Sequence, residues 1–386
     1  MARQYTPLTV NRGLALQLRN IQTASVQDDA ARQALGALLQ SALQLEFATI
    51  PTYLSAAFSL IFHLNTNRKI YDLILRVAKE EMLHLAAVAN LMNAIGIAPN
   101  IAAAAPQFPY DLTVLEPPLR LDLRSFSLDL VKDLFMAIEA PEVRVIFAAA
   151  VVQDRPRTIG EFYKGIIEII DDDTIPDLFK NASDEAYKQI AVNPNFSRVP
   201  YLNNQDTSTY PLKPGIDFRI TDKVSAIRHL SWVVNEGEGE APYKPLDTEG
   251  LPGHHYRFES IVRSHYLVPD EHADLKYSFS GGDLPFDPSG VHEFDINAKA
   301  KDYDAYPLVQ RDMKRLNDDY TNMINSLHQA FNCPSPQQVE QAAAAYDQAV
   351  GIMRNMSNRA SAIIQKAQAA GIKAGIPFEY GGPVIA

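Results

Sequence analysis

Glu81 and His84 are the residues of this chain whose types and spacing most directly imply chemistry. They lie three positions apart in Glu81-Met82-Leu83-His84, inside a helical pattern that runs unbroken from Ile70 to Ile95 and stops at Gly96. On a wheel of about 100° per residue, Leu73, Val77, Val88, Leu91 and Ile95 all fall within roughly 40° of His84. The imidazole therefore points into the apolar stripe, with Glu81 about 60° away on the same side. A carboxylate and an imidazole placed this way offer two ligands to one metal ion. The same pair also suits a core histidine bonded to its neighbour, with Glu81 at the edge of a solvated face.

A second helical pattern, from about Leu35 to Leu60, repeats the anomaly. Its stripe is Leu35, Leu39, Leu43, Ile50, Tyr53 and Ala57, and Glu46 falls near its centre, within about 20° of Leu39 and Tyr53. A buried carboxylate with no partner costs several kcal/mol or stays protonated, so Glu46 needs a cation, a proton or a hydrogen-bonding network. A salt bridge to Arg76 or Lys79 is the plainer alternative. Pro51 leaves the carbonyl of Phe47 without its helical partner and predicts a kink beside Glu46. Tyr53 is a candidate hydrogen-bond donor or radical relay at the site, or simply core.

Further donors come from later stretches. In a helix from about Asp222 to Glu238, Ile227, Leu230 and Val234 share a side. Glu238 lies about 40° from Val234 there and Glu236 about 160°, so the wheel selects Glu238. "NEGEGE" also reads as a solvated helix end. In "HHYRFESIVRSHY", His255, Glu259, Val262 and Tyr266 share a stripe within about 40°. His255 is then the expected second imidazole, with Glu259 in reserve, while His254 and His265 project elsewhere. Thr158 opens a helix reaching about Ile170 and is followed three residues on by Glu161, the signature of a capping box. Glu161 lies about 100° from the stripe Phe162, Ile166, Ile169. The residues leave it open between helix cap and ligand.

The segments "LQLEFATIPTYLSAAFSL" and "AKEEMLHLAAVANLMNAIG" resemble the ferritin-like family named for iminophenylpyruvate dimer synthases, the imine-coupling enzymes of violacein and rebeccamycin biosynthesis. "TIGEFYKGI", "VVNEGEGE", "HHYRFESIV" and "AGIPFEYGGPV" follow in the same order, so the resemblance spans about residues 30–383. It implies a ferritin-like four-helix bundle and a metal-dependent oxidoreductase of secondary metabolism. Such an enzyme would act with dioxygen on an amino-acid-derived small molecule. It also implies a carboxylate from the third bundle helix, which favours Glu161 as a ligand. The expected metal set is Glu46, Glu81, His84, Glu161, Glu238 and His255, holding iron as two ions, with manganese as an alternative. The usual second Glu-x-x-His is missing, because a glycine-rich break separates Glu238 from His255. One ion or two therefore stays open.

These residues need helices to position them, and the sequence supplies an all-α pattern. The link Asn65-Thr66-Asn67-Arg68 is short enough to make the first two helices antiparallel neighbours. A Pro/Ala-rich crossing over 99–118 leads through "LRLDLRSFSLDL", read as a loop, into a short helix Leu128–Glu139, and a further helix is expected over Glu142–Gln153. A long polar crossover fills 171–222, and irregular chain fills about 266–306. Two long helices, about Asp304–Phe331 and Pro336–Ala370, close the sequence. One domain is expected, with a core bundle over about 33–270 and a C-terminal helical extension over about 300–386. The 386 residues are 47% hydrophobic, enough for a substantial core. A net charge of −11 argues against nucleic acid or an anionic membrane as partner. Cys333 stands alone, which excludes an intrachain disulfide or a cysteine-built metal site. With neither an apolar leader nor a membrane-length stretch, a reduced cytoplasm is expected, and a homo-oligomer is left open. Iron oxidation or storage, and a metal-free helical scaffold with internally neutralised acids, remain the other function classes.

Overall fold

The computed structural model of the chain describes residues 24–61, 66–115, 117–141, 158–173, 177–191, 219–239, 245–246, 251–273 and 276–382. Its fold is all-α. Four helices build the bundle: α1 (Ala24–Ser59), α2 (Arg68–Ala94), α3 (Ile159–Asp171) and α4 (Lys223–Glu238). α1 packs along α2 and α3 along α4, while α2 also touches α4 and α1 touches α3. A short α5 (His254–Arg263) lies against α2 and α4. The expected helix over 142–153 falls outside the described residues.

α2 is buried along nearly its whole length, polar residues included. Its C-terminus closes as the sequence predicts. Gly96 takes φ 76°, Ile97 N–H bonds Met92 O at 2.9 Å, and Gly96 N–H bonds Asn93 O at 3.0 Å, a Schellman closure. In α1, Pro51 lies inside the helix, and nearby hydroxyls bond carbonyls: Thr49 to Glu46 O at 2.7 Å and Thr52 to Ala48 O at 2.9 Å. α4 begins at a capping box formed by Asp222 and Ser225.

Between α2 and α3, "LRLDLRSFSLDL" is not all loop. Leu119–Leu121 (β2) pairs antiparallel with Tyr110–Leu112 (β1), and a second small hairpin joins Val268–Pro269 (β3) to Tyr277–Ser278 (β4). The helical segment over 128–138 contains a π turn, Val131–Phe135, before it ends at Glu139. A single wide turn of this kind re-aims the residues beyond it.

Two further helices, α6 (Pro307–Phe331) and α7 (Val339–Ala369), pack side by side as the C-terminal pair. Their bounds fall within three residues of the expected ones. Val309, Met313, Leu316, Tyr320, Ile324, Leu327 and Phe331 form the buried stripe of α6. Facing it, α7 buries alanines at 342, 345, 349 and 360, small enough to let the helix axes approach. Asn93 on α2 donates to Phe331 O at 2.9 Å and ties this pair to the bundle.

Candidate metal centre

Glu46 from α1 and Glu81 and His84 from α2 converge in the bundle interior. His84 Nδ1 lies 3.5 Å from both Glu46 Oε2 and Glu81 Oε2. Three residues outside the expected set complete the cluster: Glu139 just past the π turn, Glu236 on α4, and His254 at the start of α5. His84 Nε2 donates to Glu236 Oε2 at 2.8 Å. His254 Nδ1 stands 2.9 Å from Glu81 Oε1 and 3.7 Å from Glu139 Oε2. The two imidazoles stack with ring centres 5.4 Å apart. All six side chains are buried.

Three of the expected donors sit elsewhere. Glu161 occupies the first turn of α3, where its backbone N–H bonds the Thr158 hydroxyl at 3.1 Å, the N-cap that the sequence offered as the alternative. Glu238 is buried but turns toward α3, accepting the Gly160 N–H at 2.8 Å. A carboxylate there meets the positive end of the α3 dipole and one of its orphan donors. His255 Nδ1 bonds Met136 O at 3.1 Å instead of joining the cluster.

The wheel failed on α5 because its inward stripe hides an arginine. His254, Arg257, Phe258 and Ile261 are the buried face, within about 60° of His254. Arg257, fully buried, pairs with Glu80, and Arg76 Nε reaches the same carboxylate at 2.9 Å. Glu80 in turn accepts from His254 Nε2 at 3.0 Å, turning the other ring nitrogen toward Glu81. On α4 the true stripe runs through His229 and Val233, from which Glu236 lies about 20° and 60°. The reading through Ile227, which is only half-buried, rotated that helix away from Glu236.

Two tyrosines support the carboxylates. Tyr53 donates to Glu139 Oε1 at 2.5 Å, and Tyr163 on α3 donates to Glu46 Oε1. The signal for Tyr163 was present, since it lies within about 40° of Ile159 and Ile170 on the α3 wheel. Glu139 offered less: one carboxylate ending a short apolar helix just ahead of Pro141.

Electrostatically the cluster calls for positive charge. Burial pushes the Glu46 carboxyl up to about 8, against the pull of His84. Burial also opposes ionisation of Glu81, but His84 and His254 outweigh it and hold that carboxyl well below the usual range. Burial works against protonated imidazoles too, yet the surrounding carboxylates raise both His84 and His254 well above the ordinary histidine value. Protons held this way are those that a divalent cation displaces.

The donors fall into overlapping groups whose atoms lie close enough to hold an ion: Glu46, Glu81 and His84; Glu81, Glu139 and His254; and His84, Glu236 and His254. Glu81 belongs to the first two. Its Oε1 and His254 Nδ1 are only 2.9 Å apart, yet neither is aligned for a hydrogen bond with any partner. Buried polar atoms left in this state fit a metal ion between them. A cavity of about 20 Å³, bordered by Glu46, Glu81, His84, Glu139 and Tyr163, adjoins the cluster.

The Ferritin-like family profile matches residues 39–263, a span containing every residue of the cluster. The chain belongs to the ferritin-like family. A crystal structure of a ferritin-like protein from Caulobacter vibrioides is similar to it, with a TM-score of 0.54 at 20% sequence identity, covering 90% of this chain and 97% of that one. At that identity the likeness concerns the fold alone. No curated protein matches the chain. Among the described residues no helix is long and apolar enough to cross a membrane.

Proposed function

We propose that this ferritin-like chain is a carboxylate-bridged dimetal oxidoreductase, with iron as the metal and manganese as the alternative. It acts with dioxygen on an amino-acid-derived small molecule, as the resemblance of its sequence to the iminophenylpyruvate dimer synthase type implies. The observation that carries the reading is the sharing of Glu81 between two buried triads. Glu46 and His84 would hold one ion, Glu139 and His254 the other, with Glu81 between them and Glu236 alongside the imidazoles. Bound there, the ions would supply redox and Lewis-acid chemistry at a position open to the cavity.

The chain's own residues have separable tasks. Glu80, fixed by Arg76 and Arg257, orients His254. Leu45, Ile138, Ile159, Val233 and Val234 make the apolar wall of the cavity and exclude bulk water. Tyr53 and Tyr163 donate to Glu139 and Glu46. A second reading, oxidation of iron itself, draws on the cavity's size. About 20 Å³ suits a water or a diatomic ligand and leaves no room for an organic substrate without movement.

Elemental analysis of purified protein, beside Glu81→Ala, tests the metal centre. The expected result is near-stoichiometric iron or manganese that the variant loses. A wild type without metal even after anaerobic reconstitution leaves a helical scaffold in its place. Adding iron(II) beyond the bound complement under air separates the two readings. Oxidation of the excess that continues faster than in Glu81→Ala or without protein favours iron handling, and a return to that background rate once the bound ions are oxidised favours the oxidoreductase.

A further inference from the structure

Each unshared carboxylate of the two triads is held by a tyrosine, and in each case through the oxygen that faces away from the imidazole. Tyr163 donates to Glu46 Oε1, while Glu46 Oε2 is the atom 3.5 Å from His84 Nδ1. Tyr53 donates to Glu139 Oε1, while Glu139 Oε2 is the atom 3.7 Å from His254 Nδ1. Glu81, common to both triads, has no tyrosine among the described residues, and the hydroxyl 3.3 Å from its Oε2, that of Thr49, lies closer to Glu46 O at 2.7 Å. Glu81 Oε2 faces His84 at 3.5 Å and its Oε1 faces His254 at 2.9 Å. Among the three carboxylates of these two triads, the phenols thus leave one that offers both oxygens and two that offer one.

We propose that Tyr163 and Tyr53 are positioning residues that leave only Oε2 of Glu46 and of Glu139 for a cation, so that among these three carboxylates Glu81 alone spans two ions. This rests on the dimetal reading. The rings are well fixed for such a task. Both are fully buried, Tyr53 between Phe135 and Phe258 with centroids 4.8 and 5.1 Å away, and Tyr163 beside Phe162 at 5.6 Å. Around Tyr53, which does not border the cavity, water cannot readily replace a lost phenol donor. A buried tyrosine also needs a partner for its own hydroxyl, and the test must separate that lesser role from control of the carboxylates.

Co(II) provides the probe, because its visible absorption weakens as coordination number rises. The wild type, Tyr163→Phe, Tyr53→Phe and the double variant are each loaded anaerobically and titrated. Each single variant is expected to keep the wild-type Co(II) stoichiometry and bind it about 10- to 100-fold more weakly. Absorption per Co(II) should fall as the released carboxylate chelates through both oxygens, and fall further in the double variant. Unchanged affinity and absorption in all three variants overturns the inference. If the variants fail to fold, X-ray absorption of wild-type Co(II) protein decides instead. The short Co···C distance of a chelating carboxylate is expected to be absent, and finding it overturns the inference. A wild type that takes up no Co(II) overturns the dimetal reading and this inference together, an outcome recognised by stoichiometry alone.

Discussion

Because Glu81 joins the two triads, each imidazole can be removed while the other triad keeps its own residues. His254→Ala takes away the only imidazole of the Glu81–Glu139 group and is expected to lower metal content, while His255→Ala leaves it at the wild-type level. His255 is spent on Met136 O, outside the cluster. Metal analysis after identical reconstitution decides, and equal losses in both variants would sink the assignment of His254. The contrast also marks where the sequence stopped being readable. Glu46, Glu81 and His84 lie well inside long helices, where hydrophobic periodicity is averaged over many turns and fixes the inward face. His254 opens a short helix whose buried face contains Arg257, a residue that counts as polar in any such pattern. Glu236 lies near the end of α4, where Glu236, Gly237 and Glu238 are all buried, and only the stripe through the polar His229 distinguishes it from Glu238. Glu139 follows a π turn, which breaks the 100° step on which a wheel depends. The bounds of the long helices were mostly legible because they depend on long-range periodicity and on stop signals such as Gly96, although α1 begins at Ala24 and not at about Leu35. The last three donors depend on local backbone and on ion pairs between distant residues.

At the scale of elements, the end of α4 is joined to the start of α3 by Glu238 and Gly160. A Cβ on Gly160 would land on the Glu238 carboxylate, so alanine there displaces the end of that side chain from its hydrogen bond to the residue 160 N–H. Gly160→Ala alone is expected to destabilise the chain by about 1–3 kcal/mol through overpacking. Glu238→Ala alone removes the acceptor for Gly160 N–H and a charge at a helix N-terminus, a loss of about 1 kcal/mol. Together the two should cost less than their sum. With the carboxylate gone the new methyl has space, and alanine is the better helix former. A double-mutant cycle by chemical denaturation should show a coupling of roughly 0.5–3 kcal/mol, and strict additivity would dissociate the glycine from the carboxylate. Metal content should be unchanged in Glu238→Ala, which separates a helix-capping carboxylate from a ligand. Gly253 has a similar part on the other side of the centre. A Cβ there would lie 2.7 Å from Gly239 N, so the chain entering α5 can pass the end of α4 only with glycine at 253. That close passage delivers His254 to the cluster.

Across the whole molecule, the six donors span residues 46–254 and come from α1, α2, the 128–139 stretch, α4 and α5. An unfolded chain cannot gather them, so a cation held by the cluster binds the native state alone and stabilises it by linkage. At free metal about 100-fold above Kd the gain is about 2.7 kcal/mol. Thermal unfolding under anaerobic conditions should therefore show a midpoint that rises with added Fe(II) or Mn(II), returns with chelator, and does not move in Glu81→Ala. The C-terminal pair supplies the control. Phe331 is fully buried beneath α7, with its ring 5.9 Å from that of Tyr346, and its carbonyl accepts from Asn93 of α2. Phe331→Ala should cost about 3–5 kcal/mol by opening a cavity far from the donors. It is expected to lower the starting midpoint while leaving the metal-induced rise intact, since distant sites add. A rise that persists in Glu81→Ala would place the cation outside the cluster. One that vanishes in Phe331→Ala would mean that the helical pair and the metal centre share a single packing unit, with α2 carrying the coupling between them.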